Sequence, residues 1–315
     1  MTLDAATRGL LKMMADSGAP PMHELSVAEA RAMAANGAQM SGPGPQVAGS
    51  ADREVSVDGV SVGVRILTPA GTPSAVLVLY HGGGWVHGGL AEYDHLGRRL
   101  AVDLGAVVVV VDYRLAPEHP FPAAIDDAVT ALRWVCGHVE ELADCSVPVI
   151  VFGDSAGGAL AAVAARRARD ENLLVHLQVL VYPVVDADLD RPGYLDPANQ
   201  LMISRQTMRW YWDHYLPDLA GRVHPDASPL RADDLRGVAP AVIVTAEQDV
   251  LREEGEAYAA ALAAADIPVR AHVAVGQMHG FLTMINILPG GAAGLEHLIA
   301  EIRDHLGLTY TVERP

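Results

Sequence analysis

Two hydrophobic periods divide this chain, and the change falls near residue 55. Before it, Leu3, Leu10, Leu11 and Met14 recur at helical spacings. Ser26 followed by Glu29 is a capping box, which starts a second helix by satisfying two end N–H groups reciprocally. Gly42-Pro43-Gly44-Pro45 then breaks the chain. From Val55 the period is two. Residues 55–62 and 64–67 predict antiparallel strands with a turn at Asp58-Gly59. Residues 75–80 are continuously apolar, as a strand buried on both faces must be.

Strand and helix patterns alternate after that. Helices are predicted over 93–104, 123–139, 156–169, 252–265 and near 295–306, and strands over 106–112, 147–152, 177–182, 241–245 and 269–275. Repeated βα units require a mostly parallel mixed sheet flanked by helices. The alternation lapses between 186 and 229, too long a stretch for a plain loop. It holds Tyr194, Trp210, Tyr211, Trp212 and Tyr215, with a helix predicted around 204–215. Together with the first helices, where six of the ten methionines lie, this insertion reads as a helical cap. The expected division is cap helices over 1–45, a catalytic body over 46–185 and 230–315, and a cap insertion over 186–229.

Composition narrows the partners. Lys and Arg number 22 against 39 Asp and Glu, a net charge of −17. Such a chain is repelled by nucleic acid and by anionic membrane surfaces, so neither is expected as a partner. Two cysteines, Cys136 and Cys145, suggest no disulfide framework, and no metal-ligand spacing appears. The opening Met1-Thr2-Leu3-Asp4 has no basic region leading an apolar core, and the apolar run 106–111 is too short to span a bilayer. A cytoplasmic location is therefore expected.

The chemistry lies in short motifs at strand ends. Gly153-Asp154-Ser155-Ala156-Gly157 follows a strand and opens a helix, the context of a nucleophile elbow. His81-Gly82-Gly83-Gly84-Trp85 follows the strand 75–80. Its Gly83 and Gly84 can turn bare N–H groups on a developing oxyanion, joined by Ala156 directly after the serine. A serine nucleophile needs a base, and the base needs an acid to orient it. His279, between glycines after the last strand, is the expected base. Asp249, after the strand 241–245, is the expected acid, with Glu247 and Glu253 as alternatives. No phosphate-loop signature competes for the glycines, and no cofactor is expected.

These residues resemble the hormone-sensitive-lipase-like esterases, or bacterial family IV, of the α/β-hydrolase fold. The resemblance covers nearly the whole chain. It is carried by the His81–Trp85 motif, the stretch Asp112-Tyr113-Arg114-Leu115-Ala116-Pro117-Glu118-His119-Pro120-Phe121-Pro122-Ala123, the elbow, the segment from Asp249 to Gly255, and Met278-His279-Gly280-Phe281. Gln248, Val250 and Gln277 depart from the family's usual residues without touching a catalytic group. The resemblance implies hydrolysis of short- to medium-chain carboxylic esters through an acyl-enzyme, by a monomer or homodimer acting on a small molecule. It implies that Trp85 shapes the pocket mouth and that 112–122 braces the active-site loops. Asp154, Tyr182, Met208, Trp212, Met278 and Phe281 are the further expected substrate contacts. Amide hydrolysis or acyl transfer would use the same triad. Plant gibberellin receptors resemble this family too, but they lack the histidine that His279 supplies here.

Overall fold

The computed structural model describes residues 3–308. Met1 and Thr2, half of the segment used to judge a leader, and the last residues of the expected body, 309–315, lie outside them. The elements in chain order are α1 (Ala5–Asp16), α2 (Val27–Gln39), β1 (Gly49–Val57), β2 (Val60–Thr68), β3 (Val76–Tyr80), α3 (Leu90–Leu104), β4 (Val107–Asp112), α4 (Ala123–Gly137), α5 (Val139–Ala143), β5 (Val149–Asp154), α6 (Ala156–Asp170), β6 (Leu177–Val181), α7 (Pro192–Leu195), α8 (Arg205–Tyr215), β7 (Ala241–Gln248), α9 (Arg252–Ala264), β8 (Val269–Met278) and α10 (Pro289–His305).

The strands form one eight-stranded sheet in the order β1-β2-β4-β3-β5-β6-β7-β8. β2 runs antiparallel to β1 and β4, and every other pair is parallel. The β1–β2 hairpin turns at Asp58 (φ 51°) and Gly59 (φ 81°), the two left-handed residues that a tight hairpin matching strand twist requires. One face of the sheet packs on α4, α6 and α9, and the other on α3 and α10. The connections after β3 and β5 leave from neighbouring strands whose onward partners lie on opposite sides. That is the switch point where α/β sheets open a crevice.

Several boundaries differ from the sequence reading. The hairpin starts at Gly49 rather than residue 55, because β1 is exposed along most of its length and carries little apolar signal. The helix expected over 123–139 breaks at His138 into α4 and α5. α10 begins at Pro289, ahead of the apolar periodicity, since proline fits the first helical position where no N–H partner is needed. β7 and β8 run on to Gln248 and Met278 through an irregularity in register.

The N-terminal helices are tied to the body by polar contacts. The Asp4 N–H donates to the Gly276 carbonyl (3.0 Å), while its carboxylate caps Thr7 and accepts from Gln277 Nε2 (2.6 Å). On α2, Arg31 donates to the carbonyls of Val86 (2.8 Å) and Ala116 (3.1 Å) and pairs with Glu118. The insertion leaves β6 past Glu254, a buried carboxyl on α9. Glu254 accepts from the N–H groups of Val185 and Asp186 and from the Tyr194 hydroxyl. Asp186 is held by Arg191 and Arg231, and Asp226 by Arg166 and Arg167.

Burial pushes the Glu254 carboxyl up to about 8, against the pull of those three donors. A carboxyl whose folded pKa exceeds its unfolded value binds more protons in the folded state between the two values. Stability from this group is therefore greatest at low pH and falls as pH rises from about 4.5 to about 8. The melting temperature of the wild type is expected to fall relative to Glu254→Gln across that window. A gap between the two proteins that stays constant with pH would show that the carboxyl titrates normally.

Candidate active site

The elbow is built by close approach. A Cβ on Gly153 would sit 2.0 Å from the Gly157 carbonyl oxygen, and one on Gly157 would sit 2.0 Å from that of Tyr80. Only glycine lets β5, α6 and β3 converge there. Ser155 is thrown into a positive φ of 54° with ψ −120°, a conformation costly for any side-chain-bearing residue. The turn is secured at both ends, by the Ser155 N–H donating to Val181 O (2.9 Å) and the Val184 N–H donating to Ser155 O (3.0 Å).

Asp249 follows β7 and His279 follows β8, so both reach the sheet edge where Ser155 stands. His279 Nδ1 donates to Asp249 Oδ2 (2.8 Å), which leaves Nε2 to accept from the Ser155 hydroxyl (3.0 Å). All three side chains are buried. The Leu251 N–H donates to the other Asp249 oxygen (3.0 Å) and fixes the carboxylate's orientation. The alternative acids are elsewhere. Glu247 accepts from the Gly276 N–H (2.8 Å), and Glu253 lies against Gly193.

The glycine loop after β3 is braced from below. The Gly82 N–H is taken by the Tyr93 hydroxyl (2.8 Å) and Asp154 Oδ1 (2.9 Å), and that hydroxyl also donates to Asp154 Oδ2 (3.0 Å). Burial raises the Asp154 carboxyl to about 6, with the Tyr93 hydrogen bond, the nearby His279 and the Gly82 N–H pulling the other way. Gly83 (φ 115°) and Gly84 (φ 59°) follow in left-handed backbone, and the N–H of Ala156 heads α6, where no intrahelical partner exists. His81 lies under the loop, stacked on Tyr113 at 4.1 Å, with Nδ1 donating to the Gly82 carbonyl.

A cavity of about 360 Å³ opens above Ser155, His279, Gly83 and Gly84. That size suits a small organic ligand. Eight of the ten methionines line it: Met13, Met14, Met22, Met33 and Met40 from the N-terminal segment, and Met202, Met208 and Met284 from the insertion and body.

The expected substrate contacts divide. Met208 and Asp154 are on the cavity wall. Trp85, Tyr182, Trp212, Met278 and Phe281 are not, which corrects that part of the sequence reading. Trp85 is 1% exposed and is sandwiched by Tyr215 (stacked, 4.1 Å) and Trp212 (4.9 Å), so it anchors the insertion instead of shaping a mouth. Tyr182 packs on the His279 ring (4.5 Å), Phe281 packs edge-on against Tyr182, and Met278 is fully buried. Tyr182, backed by Phe281, packs behind the His279 ring. Sequence reasoning missed Tyr211 and His87, which do face the cavity and meet through His87 Nε2 and the Tyr211 hydroxyl at 2.8 Å. Helical spacing puts both Tyr211 and Trp212 beside Met208 on α8, so spacing alone did not single out Tyr211.

Among the described residues no helix is long and apolar enough to cross a membrane, and no three metal-ligating side chains cluster.

Comparison with known proteins agrees with this fold. A family model described as alpha/beta hydrolase fold matches residues 77–283, from β3 through His279. An ethyl acetate hydrolase of Pseudomonas putida is 35% identical over 300 residues, covering 91% of this chain and 92% of the relative. Carboxylesterase NlhH of Mycobacterium tuberculosis is 39% identical over 260 residues, 80% of this chain and 81% of the relative. Among solved structures, an ester hydrolase from the metagenome of Lake Arreo superposes with a TM-score of 0.90 at 33% identity, covering 97% of this chain and 100% of the other. With identity and fold matching across nearly the full length of both chains, and every strand that carries a site residue inside the match, this chain belongs to the hormone-sensitive-lipase-like carboxylesterases of the α/β-hydrolase fold.

Proposed function

We propose that Ser155, His279 and Asp249 hydrolyse carboxylic esters of short to medium acyl chains through an acyl-enzyme. The observation that carries this reading is the unbroken chain from Ser155 Oγ to His279 Nε2 and from His279 Nδ1 to Asp249, at the floor of an apolar cavity. Ser155 Oγ attacks the ester carbonyl as His279 Nε2 takes its proton. The oxyanion is met by the N–H groups of Gly83, Gly84 and Ala156, Gly82 being already engaged. Collapse expels the alcohol, which receives the proton from Nε2. Water then repeats the sequence on the acyl group, with Asp249 stabilising the imidazolium in each half. The test is hydrolysis of a chromogenic butyrate ester, with an initial burst of chromophore equal to the enzyme present where deacylation is slow. No ester turnover would refute the reading. Turnover of the matching anilide at a comparable rate would favour amide hydrolysis instead.

The helices within 1–45 and the insertion 186–229 act in this reading as a cap that sets acyl length. Methionine is flexible and fills irregular gaps, so a methionine-lined wall admits varied apolar groups up to the depth available. Two residues one turn apart on α8 take two roles. Met208→Ala on the cavity side is expected to raise the ratio of kcat/KM for octanoate over acetate esters by several-fold. Trp212→Ala, whose ring is fully buried against Trp85, is expected to destabilise the fold by about 3–5 kcal/mol, with little change in that ratio among molecules that remain folded. Acyl-chain profiles and melting curves of both variants check this. An unchanged ratio in Met208→Ala would remove the cap from substrate selection.

A further inference from the structure

Both glycines that face the oxyanion are pressed by side chains that are bonded to each other. A Cβ on Gly84 would lie 2.1 Å from Tyr211 Cδ1, so the phenol ring of α8 rests directly on that residue. A Cβ on Gly83 would lie 2.1 Å from the His87 carbonyl oxygen and 2.8 Å from His87 Nδ1. The loop therefore folds back on itself, closed by the N–H groups of Val86 and His87 donating to Gly83 O (both 3.1 Å). His87 Nε2 and the Tyr211 hydroxyl meet at 2.8 Å. Their partners are neutral. Burial lowers the imidazole to about 4, helped by the neighbouring His81 and Arg31, so it accepts from the phenol without carrying charge. No other hydrogen bond of either ring is present among the described residues. The pair thus joins an insertion helix to a body loop at the point where the oxyanion forms.

We propose that the Tyr211–His87 hydrogen bond is a positioning latch, through which α8 holds Gly83 and Gly84 aimed at the oxyanion. It rests on the role given to those glycines above. Without the bond, the Tyr211 ring can lift from Gly84 and the His87 turn can relax under Gly83, so the donors lose aim while the apolar cavity stays intact. The effect belongs in kcat, because the oxyanion exists only after attack begins.

The test is a double-mutant cycle on acetate ester hydrolysis. Tyr211→Phe and His87→Ala are each expected to lower kcat by about 10–100-fold, with KM within about 3-fold of wild type. The double variant should lose no more than either single. His87→Gln, whose amide can occupy the Nε2 position, should recover most of the rate. Melting temperatures are measured alongside, since loss of folding would lower active concentration rather than kcat per titrated site. The latch is overturned by a Tyr211→Phe kcat near wild type, by losses that multiply in the double variant, by no recovery in His87→Gln, or by a change confined to KM. Ser155→Ala run in parallel separates the two ideas. If it is inactive while Tyr211→Phe has the wild-type kcat, only the latch fails. If it retains full activity, the reading of the whole site fails.

Discussion

Ser155→Ala is expected to lower kcat by about 10⁴–10⁶-fold while leaving the melting temperature nearly unchanged. The substitution removes one oxygen. Among the described residues that oxygen makes a single hydrogen bond, to His279 Nε2, and the backbone contacts that hold the elbow involve only main-chain atoms of Ser155. Alanine tolerates the positive φ no better than serine does, so the strain already present is carried over rather than increased. What disappears is the atom proposed to form the acyl bond. Because nucleophile and base act as one unit, the remaining histidine and oxyanion donors supply only their residual effect on direct attack by water. Single-turnover rates on an ester, with circular dichroism as the control for folding, decide the matter. A variant that melts normally and keeps its rate would mean the reaction does not pass through Ser155.

Asp249→Asn is expected to cost roughly 10⁴-fold in kcat, through the wrong imidazole tautomer. The structure dictates which way the new amide points. The Leu251 N–H donates to Oδ1, so the amide oxygen stays there and the NH₂ group takes the place of Oδ2. That group faces His279 Nδ1 and donates to it. The ring proton then moves to Nε2, so that Nε2 can no longer accept the Ser155 hydroxyl proton. The two competing acids give the control. Glu253→Gln should leave kcat within a few-fold, and Glu247→Gln should affect mainly the β7–β8 end through the Gly276 contact. If Glu253→Gln costs more than Asp249→Asn, the acid has been misassigned.

The strongest local signals in this chain pointed to its architecture and to the Ser155, Asp249 and His279 grouping before any contact was known. The run of valines from Val107 to Val111 can be satisfied only in the middle of a sheet. A Cβ at Gly153, Gly157 or Gly83 would lie 2.0–2.1 Å from a backbone carbonyl oxygen, and one at Gly84 2.1 Å from the Tyr211 ring, so residue type and geometry are tied together at those positions. The capping box at Ser26 and Glu29 and the start of α8 after Ser204 are equally local, and both form. Asp249 and His279 stood out because each directly follows a strand at the same end of the sheet.

Only the tertiary structure decided what the apolar and aromatic residues around that site do. Trp85 and Trp212 look like pocket residues in one dimension, yet they stack with Tyr215 into the seam between insertion and body. Met208 and Tyr211 share a helix with Trp212, and hydropathy does not distinguish a side chain that lines a cavity from one that fills a core. That distinction depends on how α8 is rotated over the glycine loop, which long-range packing sets. Asp154 is a similar case: its carboxylate braces Gly82 because Tyr93, from a helix 61 residues earlier, arrives beside it. Motifs record the steric demands of a few neighbouring atoms. The shape of the cavity, and the His87–Tyr211 contact across 124 residues, arise from packing that no local pattern encodes.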